Sequence, residues 1–132
     1  MSASGGLQAS KTGLTEMLSQ SAVVANAVIV LAFGGTAGKT SYLCGFGITG
    51  LGATAAGFVQ VTFGWAGGSM EYTLAVPAGA GVPITPLIVE FSRPIWGGGV
   101  GTGITMNVPA FGAGNTNAVA YMHGFECTDN LT

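Results

Sequence analysis

Charge is the scarcest commodity in this sequence. Three cations and five acids make up 6% of its 132 residues, against about 25% in an ordinary soluble domain. The cations are Lys11, Lys39 and Arg93. Three are too few to neutralise a run of phosphates, so nucleic acid is excluded as a partner. Asp129 is the single aspartate and His123 the single histidine. Long apolar runs are also missing. The longest candidate, residues 22–33, is twelve residues long and interrupted by Asn26, well short of the roughly 20 residues that span a bilayer. No membrane partner is expected. Lys11 alone precedes that stretch, which does not make a signal peptide, so the chain is expected to stay in the cytoplasm where it is made. Cysteine is nearly absent. Cys44 and Cys127 do not make a disulfide scaffold, and free, partly buried thiols are expected.

What is abundant is apolar and small. Hydrophobic residues form 48% of the chain and glycine contributes 24 residues, which is too apolar for a disordered segment. A net charge of -2 gives little repulsion between copies. A folded domain with so few surface charges associates unless its surface is covered. Much of that surface is therefore expected to lie against other subunits or a partner.

Residues 70–95 organise the rest. Tyr72, Leu74 and Val76 alternate with Glu71, Thr73 and Ala75, and Leu87, Val89 and Phe91 alternate with Ile88, Glu90 and Ser92. That period of two marks a pair of half-buried strands. Between them, PAGAGVPITP holds three prolines and two glycines, so it reads as a loop long enough to cross between sheets. The same unit recurs along the chain. Residues 27–33, AVIVLAF, are apolar on both faces, as in a strand covered on both sides or at an interface. In 41–48, Tyr42, Cys44, Phe46 and Ile48 share a face, opposite Leu43, Gly45 and Gly47. The two glycines leave room for another surface to approach, or else mark a bulge. In 58–65, Val59, Val61, Phe63 and Trp65 share a face, which makes Trp65 a core residue before an interface anchor. WGGGVGTG, from Trp96, reads as a flexible loop. Ile104, Met106 and Val108 mark the next strand. PAFGAGNTN is a long loop, and Val119, Tyr121, His123, Phe125 and Cys127 share one face of the last strand.

These are seven strands, with an eighth if the N-terminus contributes one. No long helix is expected. The class is all-β, a sandwich of about eight antiparallel strands, and connections longer than hairpin loops favour a jelly roll. Residues 1–22 read as an extended N-terminal arm and 23–132 as a single domain. Within the arm, Leu14, Met17 and Leu18 also fit one helical turn.

No catalytic constellation is found. GGTAGKT, residues 34–40, is one residue short of a phosphate-binding loop and no helix pattern follows it. Gly45, Gly47 and Gly50 spell G-x-G-x-x-G, again without the helix that holds a pyrophosphate. His123 lacks a nucleophile and an orienting partner, and one histidine with two scattered cysteines is too thin a metal set. Glu71 and Glu90 have no marks of a paired-carboxylate site. No enzyme activity, metal or cofactor is expected.

The runs SYLCGFGITGLGATAAGFVQVT, YTLAVPAGAGVPITPLIVEF and VPAFGAGNTNAVAYMHGFE resemble the small jelly-roll cement, or decoration, proteins encoded beside the major capsid genes of tailed bacteriophages. The resemblance covers residues 41–126. It implies a structural virion protein on the capsid exterior, a homotrimer or dimer that clamps neighbouring major capsid protein subunits. A trimeric fibre or spike head that binds a host receptor or glycan is the alternative, though loops of Gly, Ala, Pro and Thr suit it poorly. The resemblance supplies no contact residues. From the residues themselves, tryptophan in a glycine loop makes Trp96 an interface anchor. Arg93, Pro83, Ile84 and Pro86, in or beside the proline-stiffened loop, and His123, in a subunit seam, complete the expected contact set.

Overall fold

A computed structural model of the chain describes residues 14–128. Eight strands follow one another: β1 (Thr15–Gln20), β2 (Ile29–Gly34), β3 (Thr40–Gly50), β4 (Gly57–Trp65), β5 (Gly68–Val76), β6 (Leu87–Val100), β7 (Gly103–Val108) and β8 (Ala118–Cys127). They form two four-stranded antiparallel sheets, a first of order β1-β8-β3-β6 and a second of order β2-β7-β4-β5. Consecutive strands alternate between the sheets, apart from the β4–β5 hairpin with its two-residue turn. The chain is a β-sandwich. The eighth strand left open by the sequence is β1, in the region read as the arm. It pairs with β8 and is not a helical turn. Residues 1–13 of the expected arm lie outside the described residues.

Alternation predicts the core correctly in most strands. Leu74 and Val76 of β5, Val61 and Phe63 of β4, and Ile104, Met106 and Val108 of β7 are all buried, and Trp65 packs against them. Phe46 of the first sheet meets Phe63 of the second with ring centroids 4.5 Å apart. Truncating either ring to alanine removes about 3–5 kcal/mol of stability, because the cavity cannot collapse between two stiff sheets.

Three expectations fail, each for a local reason. In β3 the pairing register shifts between Leu43 and Gly45 on both sides. This bulge adds one residue and inverts the alternation. Leu43, Phe46 and Ile48 face the core, while Tyr42, expected beside Phe46, stacks on Phe125 across the outer face. Second, the glycine stretch after Trp96 is not a loop but the last part of β6, which pairs Trp96 with Tyr42 and Val100 with Thr40. Gly97 lies so close to the Ser41 carbonyl that a Cβ would press on it at 3.0 Å, so the glycines let the strand continue. Third, of the two readings of the β2 stretch, cover on both faces fails: Val30 and the preceding Val28 are exposed while Ile29, Leu31 and Phe33 are buried.

The long connections 21–28, 51–56, 77–86 and 109–117 gather at one end of the sandwich and contain no charged residue. Backbone hydrogen bonds join them, including Gly52 N–H to Val82 O at 2.8 Å, Thr54 N–H to Ala113 O at 2.8 Å and Ile84 N–H to Gly50 O at 3.0 Å. Buried Asn115 completes the knot. It accepts from Asn26 N–H and donates to the carbonyls of Leu51 and Asn117. The loop 77–86 carries the chain from the second sheet to the first.

Candidate interaction surface

The outer face of the first sheet is built in three rows that cross all four strands. Glu16, Phe125, Tyr42 and Trp96 form one row. Leu18, His123, Gly45 and Glu90 form the second, and Gln20, Tyr121, Gly47 and Ile88 the third. Alternation along β8 places Tyr121, His123 and Phe125 here, because Ala118, Ala120, Met122 and Gly124 take the core side.

Local packing flattens this face. A Cβ on Gly47 would collide with the Tyr121 ring, and one on Gly45 with the Glu90 carboxylate. The space above both glycines is therefore filled by side chains of the same sheet, not left open for a partner as the sequence suggested. Gly45 also borders the bulge. Across it, His123 Nε2 donates to Glu90, 3.0 Å from Oε1 and 2.9 Å from Oε2. Tyr42 and Phe125 stack at 4.9 Å with 17° between their planes. Trp96 remains 54% exposed, Ile88 57% and Leu18 67%. This face is aromatic and apolar, with a histidine–glutamate hydrogen bond at its centre.

Cys44 sits half-buried in the bulge and Cys127 is buried, both as free thiols. Burial, with the Glu90 and Glu16 carboxylates nearby, pushes the Cys44 thiol up from its ordinary range. Less thiolate is present at neutral pH than in a free cysteine, which makes Cys44 a poor nucleophile.

The contact residues expected from sequence fall into three places. Trp96, Arg93 and His123 belong to the outer face and β6 edge of the first sheet, Arg93 in an exposed excursion of β6. Pro83 and Pro86 are exposed on the knotted loop end, before the start of β6 and away from Trp96 in its last part. Ile84 is 3% exposed and packs in the core, so it is removed from the set. The loop's backbone bond at Ile84 turns that side chain inward. Tyr42, Tyr121, Phe125, Leu18 and Ile88 were not singled out from sequence. The one available signal was the aromatic series on alternate residues of β8.

The polar groups elsewhere are arranged differently. GGTAGKT spans the end of β2 and the turn into β3, where the Lys39 ammonium donates to the Thr15 hydroxyl at 3.3 Å. G-x-G-x-x-G lies within β3. Glu126, 4% exposed, faces inward and accepts from the Thr36 hydroxyl at 2.7 Å. Its second oxygen and the Ser41 hydroxyl on the adjacent strand have no hydrogen-bond partner among the described residues. Among the described residues no three His, Cys, Asp or Glu side chains converge.

Comparison of the chain with protein-family models, with curated proteins and with solved structures found no match.

Proposed function

We propose that this chain is a structural virion protein of a tailed bacteriophage. It binds the outer surface of the capsid as a homo-oligomer, a trimer before a dimer, and clamps neighbouring major capsid protein subunits against the pressure within. The role is non-enzymatic and needs no cofactor. The sandwich is read as a jelly roll, supported by sheet orders β1-β8-β3-β6 and β2-β7-β4-β5, in which strands alternate between sheets as interleaved Greek keys do.

One observation carries the reading: the first sheet presents Tyr42, Trp96, Tyr121, Phe125, Leu18 and Ile88 outward, around the Glu90–His123 pair. Aromatic residues with few charges mark the centre of protein interfaces. The pre-tied, uncharged loop end supports it as well. Loops fixed before binding lose little entropy when a neighbour covers them, and several weak contacts repeated around an oligomer add to firm attachment.

The test is to mix the purified chain with capsids that lack it and to follow lattice occupancy and capsid disruption temperature. Binding at regular sites with a raised disruption temperature is expected. No binding, or binding that leaves the disruption temperature unchanged, overturns the proposal.

A further inference from the structure

The first sheet ends in two edges, β1 and β6, that differ in charge. The β1 edge exposes Leu14, Glu16 and Leu18. The β6 edge exposes Ile88, Glu90, Arg93, Trp96 and Val100. Glu90 is held by His123, which leaves Arg93 as the charge this edge offers. Glu16 and Trp96 lie at opposite ends of the same cross-strand row. Arg93 is the chain's single arginine. Between the pairs Leu43–Ile95 and Gly45–Glu90, β3 advances two residues and β6 five. The extra residues of β6 therefore arch out of the ladder and carry Arg93 outward with Pro94. Neither Arg93 nor Glu16 makes an ion pair or a hydrogen bond among the described residues.

We infer that the β6 edge of one copy docks on the β1 edge of a second copy, with Arg93 against Glu16 and Trp96 against Leu14 and Leu18. This deepens the homo-oligomer reading above and rests on it. Charge complementarity selects the occupant. The β6 edge calls for a carboxylate flanked by aliphatic side chains, and the β1 edge for a cation flanked by an aromatic one. The chain itself supplies both. Arginine also pairs with a carboxylate while its plane stacks on an aromatic ring, which lysine cannot do as well. An edge meeting its own equivalent brings Arg93 no Glu16 and Glu16 no Arg93, so a two-fold contact is disfavoured. A contact between unlike edges repeats head to tail and forms a ring where its rotation closes. Proline and the arch interrupt the β6 edge, so side chains carry the contact in place of a continuous ladder.

Charge reversal in the full chain tests this by analytical ultracentrifugation at low salt, where exposed charges are least screened. The wild type is expected to form a closed oligomer. Arg93→Glu and Glu16→Arg each weaken association by about tenfold or more, and the double reversal restores it. Both sites are exposed, so an unchanged thermal midpoint shows that each variant remains folded. Single reversals without effect, a double no stronger than the singles, or a monomeric wild type overturn the inference. Capsid binding by the same variants separates the two claims. If association fails to respond while the wild type still binds and stabilises capsids, the edge contact is wrong and the proposed function stands.

Discussion

The two sheets bury similar aliphatic and aromatic side chains inside the sandwich and differ sharply outside it. The outer rows of the second sheet read Val30, Asn107, Thr62, Glu71 and Ala32, Thr105, Gly64, Ser69. Most of these are small and polar, and Gln60 donates to the Thr73 hydroxyl at 3.0 Å beside them. On the same face Val30 is 65% exposed and Phe58 69%. The outer rows of the first sheet hold four aromatic side chains and a histidine–glutamate pair. The aromatic edges and exposed Leu18, Ile88 and Trp96 there keep apolar area in water, at about 25 cal/mol per Å². The apolar surface of the first sheet is thus gathered in adjoining rows, while that of the second is scattered among polar side chains. Contiguous apolar surface marks an interaction site, and single exposed apolar residues do not.

The sharpest way to break this contrast is truncation. Tyr42→Ala removes a ring that is 7% exposed and stacked on Phe125, and is expected to cost about 3 kcal/mol. Asn107→Ala on the second sheet is expected to stay within about 0.5 kcal/mol. Urea denaturation with unchanged slopes measures both, and similar losses would erase the distinction. Next in size is association. Ile88→Lys or Trp96→Ala should weaken self-association or capsid occupancy by about tenfold or more, while Thr105→Lys should leave both alone. If Thr105→Lys does equal damage, the second face is also an interface.

A smaller effect concerns the ion pair at the centre of the first face. Its side chains are 34% and 59% exposed, so solvent screens them, and Glu90→Gln should change stability by under about 1 kcal/mol. A loss of several kcal/mol would show that the pair is buried in an assembly that persists during unfolding. The smallest readout is chemical. Because burial and then the neighbouring carboxylates push the Cys44 thiol up, its alkylation at neutral pH should be slower than that of free cysteine and should rise as pH increases. Glu90→Gln removes one of the raising charges and should speed the neutral-pH rate. An unchanged rate would place Glu90 too far away to act on the thiol.

Much of this architecture was legible. Alternation located seven strands, and the prolines and glycines of 77–86 marked the crossover between sheets. Trp96 and Arg93, singled out as contact residues, are both exposed, although the reason given for Trp96, a flexible glycine loop, was wrong. Its exposure comes from an outward position on an edge strand. Gly45 and Gly47 offered a bulge as one reading of β3, but its place at Cys44 and the inverted alternation depend on pairing with β6 and β8, both distant in sequence. Ile84 was misread because a proline-rich loop looks solvated. Whether one of its side chains plugs the core depends on the hydrogen bond its backbone makes to Gly50.

The sequence by itself determined the all-β class and, outside β3, which residues share a face, because a pleated backbone sends successive side chains to opposite sides. It also determined that the surface would be poor in charge. Tertiary structure decided where the alternation breaks in β3 and which face of β8 turns inward. In β8 one face carries Ala118, Ala120, Met122 and Gly124 and the other Val119, Tyr121, His123 and Phe125, and neither is polar enough to settle the matter. Close contact decided it: a Cβ on Gly124 would collide with the Tyr42 carbonyl and meet Phe33 at 2.9 Å, so only the small face fits between the sheets. The aromatic face was left outside, where an interface can use it.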